Sequence, residues 1–189
     1  TKGDTYLENT FLFSTAGDYD ATVFKFSGNG DYIWGRRMGG LESDKAYGIL
    51  SDHNGSVYVT GYFVGLAEFA PGTSLIGNGG TDIFLAKFDT AGTLQWVEQA
   101  GDTGFERGWD ITQNVNAEII VTGEFQGRPS FGANAISSRG NYDMFLAAYD
   151  SNGNNQWAIS GGGPEDDIGR GVSHDTSGNI FVIGDYGGS

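Results

Sequence analysis

The side chains that could do chemistry in this sequence are mostly carboxylates. Its 189 residues include 24 Asp and Glu, 10 Lys and Arg, two His and no Cys. Without Cys the chain has no disulfide, thiolate metal site or cysteine nucleophile. The two histidines, His53 and His174, lie 121 residues apart, and neither has a second His near it in the sequence. Neither a zinc site nor a Ser-His-Asp triad is therefore indicated, and both histidines are predicted to be exposed turn residues.

Acidic turns suggest calcium as a second chemistry. The sequences DTAG, DSNG and DTSG occupy residues 89–92, 150–153 and 175–178. Calcium prefers clustered oxygen ligands, but these turns lack the alternating acidic residues of a preformed calcium loop. An Asp that accepts hydrogen bonds from its own turn is the simpler interpretation. We therefore assign no metal ligands and no cofactor, and Ca²⁺ remains the weaker alternative.

A denser acidic cluster, Glu165–Asp167, could supply the two carboxyl groups of a glycan hydrolase or lyase. Such a pair must lie about 5–10 Å apart. Acidic residues recur at the corresponding places, at Glu42, Asp44 and Glu106. An active site normally breaks the symmetry of a repeat, so this recurrence favours carboxylates on a solvated face or rim. We therefore predict no catalytic residues and a protein that is not an enzyme.

These acidic positions belong to an internal repeat. Trp34, Trp96 and Trp157 are separated by 62 and 61 residues. The same two spacings relate Gly61 to its two counterparts, and likewise Asp20 and Gly39 to theirs. Agreement at so many positions predicts one repeat segment over residues 1–189, with units of approximately 1–62, 63–124 and 125–189.

Each unit is predicted to contain four or five short β-strands. The 33 Gly residues leave no room for long helices. In the middle of the chain the strands are expected at 47–52, 56–61, 82–89 and 94–101, with a short Phe-containing strand at 68–69. Turns rich in Gly, Asn and Asp separate them.

Apolar residues occupy both faces of these strands. Val57 and Val59 share one face of the second strand, and Tyr58 lies on the other. In the third strand Phe84 and Leu85 also lie on opposite faces. A sheet with one solvated face would alternate apolar and polar residues. The pattern predicts small sheets stacked face to face, as in a β-propeller with its central channel.

The sequence also resembles a known repeat family. The run D-x-A-x-G-I-x-x-D-x-x-G-x-V-Y-V-T-G at 44–61 and the run G-G-x-D-x-F-L-A-K-F-D-x-x-G-x-x-x-W at 79–96 are similar to the bacterial SBBP-type β-propeller repeat. The resemblance covers nearly the whole chain and departs from the family pattern at Ala117 and Ala148. It implies four-stranded blades in a bacterial cell-surface or secreted protein, and a family defined by architecture rather than by catalysis.

A propeller needs about four to eight blades to close. Three repeat lengths would leave two apolar blade faces exposed. Further blades of the same chain could cover them, and we favour this interpretation. A second copy completing six blades is the next alternative, and a closed threefold fold such as a β-prism or β-trefoil is the last.

Aromatic residues provide the candidate ligand site. The periodic Trp34, Trp96 and Trp157 are predicted to pack between blades. Trp109 stands outside this period and aligns with Tyr47 and Arg170 in the first strand of each unit. If first strands line the channel, Tyr47, Trp109 and Arg170 should meet around one mouth. We predict that these three residues contact a ligand.

Charge narrows the class of partner. A formal charge of −14 disfavours nucleic acid and anionic lipid as partners. Apolar runs such as 83–88 are too short to span a membrane. We therefore expect a non-catalytic binding, adhesion or scaffold module, extracellular or on the bacterial cell surface, that contacts protein or glycan. A carbohydrate-active enzyme with carboxylates at the channel mouth and a Ca²⁺-dependent lectin-like propeller are the alternatives.

Overall fold

A computed structural model describes residues 4–7 and 10–188, which form β-strands, turns and loops. None of these residues belongs to a helix long and apolar enough to cross a membrane. The strands, in chain order, are β1 (Asp4–Leu7), β2 (Thr10–Ser14), β3 (Ala21–Phe26), β4 (Tyr32–Gly40), β5 (Lys45–Ser51), β6 (Val57–Phe63), β7 (Leu66–Ala70), β8 (Thr73–Ile76), β9 (Asp82–Phe88), β10 (Leu94–Gly101), β11 (Arg107–Gln113), β12 (Ile119–Phe125), β13 (Ser130–Phe131), β14 (Asn134–Ala135), β15 (Asp143–Tyr149), β16 (Asn155–Gly161), β17 (Asp167–His174) and β18 (Ile180–Tyr186).

Four-stranded antiparallel units are the basis of the architecture. β5, β6, β9 and β10 pair side by side in that order, and so do β11, β12, β15 and β16. By the repeat spacing, β3 and β4 correspond to the third and fourth strands of a unit, and β17 and β18 to the first and second. The prediction of an all-β protein is confirmed, and its antiparallel units are consistent with a propeller-like fold.

A hairpin between the second and third strands extends the preceding unit. β7 pairs with β8 and also with the outer strand β4, while β13 pairs with β14 and with the outer strand β10. The sequence indicated only one short strand here. The second strand of the hairpin was missed because β8 and β14 are only four and two residues long, too short to show an alternation of apolar residues. Each hairpin therefore ties two consecutive units together.

Successive sheets pack face to face through apolar clusters. Val59 and Phe84 pack against the sheet that contains Trp34, whereas Tyr58 and Leu85, on the opposite face, pack against the sheet that follows. A third cluster joins the sheet of β12 and β15 to β17 and β18. Both faces of a central sheet are thus buried, which is why its strands read as continuous apolar runs.

The sheets converge at their first strands. β11 contacts both β5 and β17, whereas the described fourth strands β4, β10 and β16 make few or no contacts with one another. Glycine permits this close approach, because a methyl group at Gly108 would collide with the Thr60 hydroxyl of the neighbouring sheet. The same collision would occur between Gly169 and Thr122. The described sheets therefore fan out from one edge, in a propeller-like arrangement.

The acidic turns are closed by their own backbone. The Asp89 carboxylate accepts hydrogen bonds from the N–H groups of Ala91 and Thr93, both at 2.9 Å. Asp150 and Asp175 make the equivalent bonds, to residues two and four positions later. These turns have the structural role that the sequence predicted.

Phe131 should make the hairpin of β13 and β14 a stabilising element. Its ring is fully buried and lies 4.9 Å from the Phe145 ring. Truncating a buried Phe to Ala typically costs about 3–5 kcal/mol. We expect Phe131→Ala to lower the urea-derived free energy of unfolding by that amount, and Phe105→Ala, at a half-exposed ring, to lower it much less. Equal losses would show that the hairpin is peripheral.

Ala117 should be mildly strained. It adopts φ 63°, where the corresponding turn residues are Gly55 at 80° and Gly178 at 86°. Left-handed backbone costs a residue with a Cβ about 1–2 kcal/mol, and part of the gain from Gly is lost to unfolded-chain entropy. Ala117→Gly should therefore raise the free energy of unfolding by about 0.5 kcal/mol. Ala91→Gly, in a turn position without positive φ, should lower it, and a loss in both variants would contradict the strain.

Candidate functional site

β-Bulges place the three candidate ligand residues. The pairing of β5 with β6 shifts between Ala46 and Gly48, which leaves Tyr47 as an extra residue in β5. Trp109 and Arg170 are the extra residues of β11 and β17. A bulge re-aims the side chain of the extra residue, and bulges are common beside functional sites. The first strands of three consecutive units thus carry the same distortion at the same place.

The three side chains form one continuous stack. The Tyr47 and Trp109 ring centroids lie 4.3 Å apart, with an interplanar angle of 36°. The Arg170 guanidinium lies over the other end, 4.8 Å from the Trp109 ring centroid. Tyr47 is 40% exposed and the Arg170 side chain 42% exposed. The structure therefore brings the three residues together at an accessible edge, while their contact with a ligand stays a prediction.

Paired charges flank the stack. Arg107 forms a 2.6 Å ion pair with Glu124 and lies over the Tyr62 ring, 5.6 Å from its centroid. Arg170 forms a 2.8 Å ion pair with Asp185. These carboxylates hold the guanidinium groups in place and reduce the net charge of the stack. The site therefore presents flat aromatic and guanidinium surfaces rather than a strong positive field.

The sequence reasoning missed Tyr62, Arg107 and Glu124. Burial raises the pKa of Tyr47, and neighbouring Tyr62 raises it further. The Tyr47 and Tyr62 ring centroids lie 6.0 Å apart. Tyr62 and Glu124 occupy corresponding positions of the second strand, so the repeat alignment contained the signal. It was overlooked because these positions differ in residue type between units.

The recurring acidic residues lie inside the junctions between sheets. Asp44, Glu106 and Asp167 are each at most 1% exposed. Each lies near a second buried carboxyl group, from Asp20, Asp82 and Asp143 respectively. Each pair lies over a glycine, where an added methyl group would collide with the carboxyl oxygens. The glycines are Gly39, Gly101 and Gly162.

Backbone hydrogen bonds explain why these acids are buried. Asp44 accepts the N–H groups of Gly40 at 2.7 Å and Val64 at 2.9 Å. Asp167 accepts those of Gly163 at 2.6 Å and Gly187 at 3.1 Å. Each carboxylate therefore closes a loop and holds the second strand's end, a structural role.

The predicted position of these carboxylates on a solvated face or rim was wrong, because Asp44, Glu106 and Asp167 are the buried members of the clusters. Glu42, Glu165 and Asp166 are exposed. Within residues 4–7 and 10–188, no three His, Asp or Glu side chains meet at metal-binding spacing.

Glu106 is the most perturbed carboxyl group. Burial raises its pKa to about 8, and the nearby Asp102 and Asp82 carboxyl groups add to this. Its Oε2 accepts the Asp102 N–H at 3.2 Å, while its buried Oε1 has no hydrogen-bond partner. Asp44, in the same position of the preceding unit, has its pKa raised by burial to about 6. A protonated Glu106 therefore suits this junction.

The periodic Trp and Lys residues fasten one sheet to a turn of the next. The Trp34 Nε1 and the Lys25 Nζ both donate to the Thr90 carbonyl at 3.0 Å. Trp96 and Lys87 make the same contacts with the Ser151 carbonyl, at 3.1 Å. For Trp34 and Trp96, packing between neighbouring sheets is the role that the sequence predicted.

The two histidines differ from each other. His53 is exposed in a turn, as predicted. His174 is half-buried at the end of β17, and its Nδ1 lies 3.2 Å from the Thr112 hydroxyl of the preceding sheet. The prediction of an exposed turn residue was therefore wrong for His174, because the first strands lie close enough for this contact.

Glu106→Gln should stabilise the protein in a pH-dependent way. The pKa of Glu106 in the folded protein, about 8, exceeds its ordinary value of 4.5. The contribution of Glu106 to the free energy of unfolding is therefore complete below pH 4.5 and is lost as pH rises through 8. One pKa unit corresponds to about 1.4 kcal/mol, so the gain from Gln should exceed about 1 kcal/mol at pH 8 and vanish near pH 4.5. Thermal unfolding across this range measures it. Exposed Glu42→Gln should give no such trend, and a gain at pH 8 no larger than this control would contradict the assignment.

Comparisons with known proteins agree with the fold. No protein-family model matches the chain. Over 167 residues, 79% of the chain, it is 25% identical to the uncharacterized WD repeat-containing protein L264 of Acanthamoeba polyphaga mimivirus. Over 110 residues, 56% of the chain, it is 27% identical to the regulatory protein FlaEY of Caulobacter vibrioides. Each match covers 12% of the relative's length. The similarity to a WD repeat-containing protein is consistent with the propeller-like stack of four-stranded sheets.

Proposed function

We propose that this chain is a non-catalytic, propeller-like scaffold that binds a protein partner through the stack of Tyr47, Trp109 and Arg170. The observation that carries the proposal is this accessible stack, built by three consecutive bulges on the converging first strands. The sheets behind it are held by buried clusters and by hairpins that cross between units. The stack therefore sits on a rigid support, which lowers the entropic cost of binding.

The residue types favour protein as the ligand. Tyr, Trp and Arg are the residues most enriched among binding hot spots of protein interfaces. They offer large, flat contact surfaces with few rotatable bonds. The ion pairs of Arg107 with Glu124 and Arg170 with Asp185 leave polar groups around the aromatic centre. An apolar centre with a polar rim is the usual anatomy of such an interface.

Repeat length supports the propeller comparison. WD-type repeats of about 40–45 residues supply four strands each. The unit here is 62 residues long, of which residues 64–81, between β6 and β9, form the inserted hairpin segment. Without these 18 residues the unit has 44, which fits one four-stranded blade. The extra length therefore belongs to the hairpin that extends the preceding sheet.

We further propose that the repeat is of the bacterial SBBP type and that it belongs to a secreted or cell-surface protein with an adhesion role. It is supported by the motifs at 44–61 and 79–96 and by the acidic, Cys-free composition. Closure of the ring by further units follows from the same resemblance.

The burial and backbone hydrogen bonding of the recurring acidic residues argue against an enzymatic function. Asp44, Glu106 and Asp167 are buried and accept backbone hydrogen bonds. A glycosidase needs carboxyl groups that reach its substrate. In the described part of the chain these three carboxyl groups instead hold neighbouring sheets together.

A displayed random-peptide library tests the proposal. Peptides selected on the 189-residue chain should bind with an affinity that Trp109→Ala reduces at least tenfold, since hot-spot truncations cost about 2 kcal/mol or more. Tyr32→Ala, at an aromatic residue 38% exposed on β4, is the matched control and should leave binding unchanged. Isothermal titration gives the affinities, and circular dichroism verifies that both variants fold.

Two outcomes would overturn this function. Selected peptides that bind the Trp109→Ala variant as tightly as the original chain would place the interaction elsewhere. A glycan array in which binding appears and disappears with Trp109 would make the stack a sugar platform. Loss of that glycan binding on removal of Ca²⁺ would favour the lectin-like alternative.

A further inference from the structure

An exposed apolar patch lies at the base of the hairpin formed by β7 and β8. Leu66 and Ile76 are directly opposed across the two strands, and Leu66 lines a groove of about 450 Å³ together with Leu41. Leu41 is 78%, Leu66 62% and Ile76 71% exposed. These three residues are called the hairpin patch below. Clustered apolar side chains in water mark interaction surfaces, whereas single exposed ones are common everywhere.

The other hairpins have polar residues at these places. In the hairpin of β1 and β2 the opposed pair is Asp4 and Ser14, and the Ser14 hydroxyl donates to the Asp4 carboxylate at 2.6 Å. In the hairpin of β13 and β14 the register places Arg128 opposite Ser137. The loop after the fourth strand of that unit has Thr103 where the patch has a leucine. Packing of the repeat therefore does not require apolar residues here, which points to an external contact.

The exposure of the patch does not come from a missing neighbour. The sheet of β5, β6, β9 and β10 has a described sheet on each side, and its counterparts of the patch residues are Thr103, Arg128 and Ser137. All three are exposed. The base of a hairpin therefore stays in water even when both neighbouring sheets are in place.

The backbone under the patch is held firmly. Ala67 and Phe69, on the opposite face of β7, are buried against the next sheet. β7 also pairs with β4, and a methyl group at Gly40 of β4 would collide with the Leu66 carbonyl oxygen. A patch on such a fixed backbone loses little conformational entropy when a ligand covers it.

Negative charge surrounds the patch. Glu42 and Glu68 line the same groove, where Glu42 is exposed and the Glu68 side chain is 50% exposed. The Arg37 guanidinium also lines it, but lies 3.4 Å from the buried Asp20 carboxylate, which offsets its charge. The contact between Arg37 and Glu68 is longer, 3.9 Å. The groove is therefore acidic, in keeping with the formal charge of −14 of the chain.

We propose that the hairpin patch docks a segment of a partner protein in which apolar side chains alternate with Lys or Arg. The apolar side chains would cover Leu41, Leu66 and Ile76, and the cations would lie beside Glu42 and Glu68. This surface lies on a hairpin at the outer strand β4, whereas the aromatic stack lies on the converging first strands. The scaffold thus has a second contact surface, selective for basic and apolar segments.

A defined peptide tests the docking surface. The probe is the acetylated and amidated hexapeptide of alternating Lys and Leu, titrated into the 189-residue chain by calorimetry. Leu41→Thr combined with Ile76→Ser introduces residue types of the next unit and should weaken binding at least about tenfold, because two apolar contacts are lost. Val115→Thr combined with Ile159→Ser, at residues 52% and 54% exposed, is the matched control and should leave binding unchanged.

Charge variants test the acidic rim. Glu42→Gln should weaken binding of the peptide about threefold, as expected for an exposed ion pair. Glu165→Gln, at the corresponding position of the third unit and also exposed, should have no effect. A second peptide with Ser in place of Leu, and a third with Glu in place of Lys, should bind at least about tenfold more weakly than the probe.

The stack serves as an independent reference. Trp109→Ala should leave binding of the probe unchanged, so this surface can fail while the function proposed for the stack stands, and the reverse. Loss of binding in Trp109→Ala, equal losses in the two double variants, or no binding of the probe at millimolar concentration would overturn the proposal. Self-association of the chain that Leu41→Thr with Ile76→Ser abolishes would identify a second copy as the occupant and would overturn it too.

Discussion

The structure depends on sheets that must be covered on both faces. A central sheet of this chain has apolar residues on both faces, so a unit alone would leave both faces in water. Phe63, Phe69 and Phe84 show the solution: a second strand, an inserted hairpin and a third strand contribute rings that meet at 5.1–5.9 Å between two sheets. Because every unit needs its neighbours, stability is shared along the stack rather than contained in each unit.

Close approach of the first strands sets the chemistry of the interior. Gly108 and Gly169 let neighbouring sheets touch, and Gly39, Gly101 and Gly162 leave room for paired carboxyl groups. These acids accept backbone N–H groups from loops that would otherwise be left without partners in a dry junction. The abundance of acidic residues therefore has two origins: exposed turns, and buried links between sheets, of which burial raises the pKa of Asp44 and Glu106.

The same convergence produces the accessible stack. A bulge in each first strand re-aims one side chain, and adjacent bulges bring Tyr47, Trp109 and Arg170 into contact. Outside the stack, Trp34, Lys25, Trp96 and Lys87 donate hydrogen bonds to turns of the next sheet. These side chains are therefore already engaged in packing between sheets. The residues that recur in every unit pack the sheets together. The position that varies between units, occupied by Tyr47, Trp109 and Arg170, forms the accessible stack.

The sequence by itself determined the all-β class, the repeat spacing, the two-sided burial and the structural role of the acidic turns. These features depend on local backbone preference and on side-chain alternation, which short segments already contain. Only the tertiary structure decided that the hairpins pair with the preceding sheet and that Asp44, Glu106 and Asp167 are buried. It also decided that Tyr47, Trp109 and Arg170 stack. Each of these depends on how one sheet lies against the next, and residues about 60 positions apart meet only when the sheets converge.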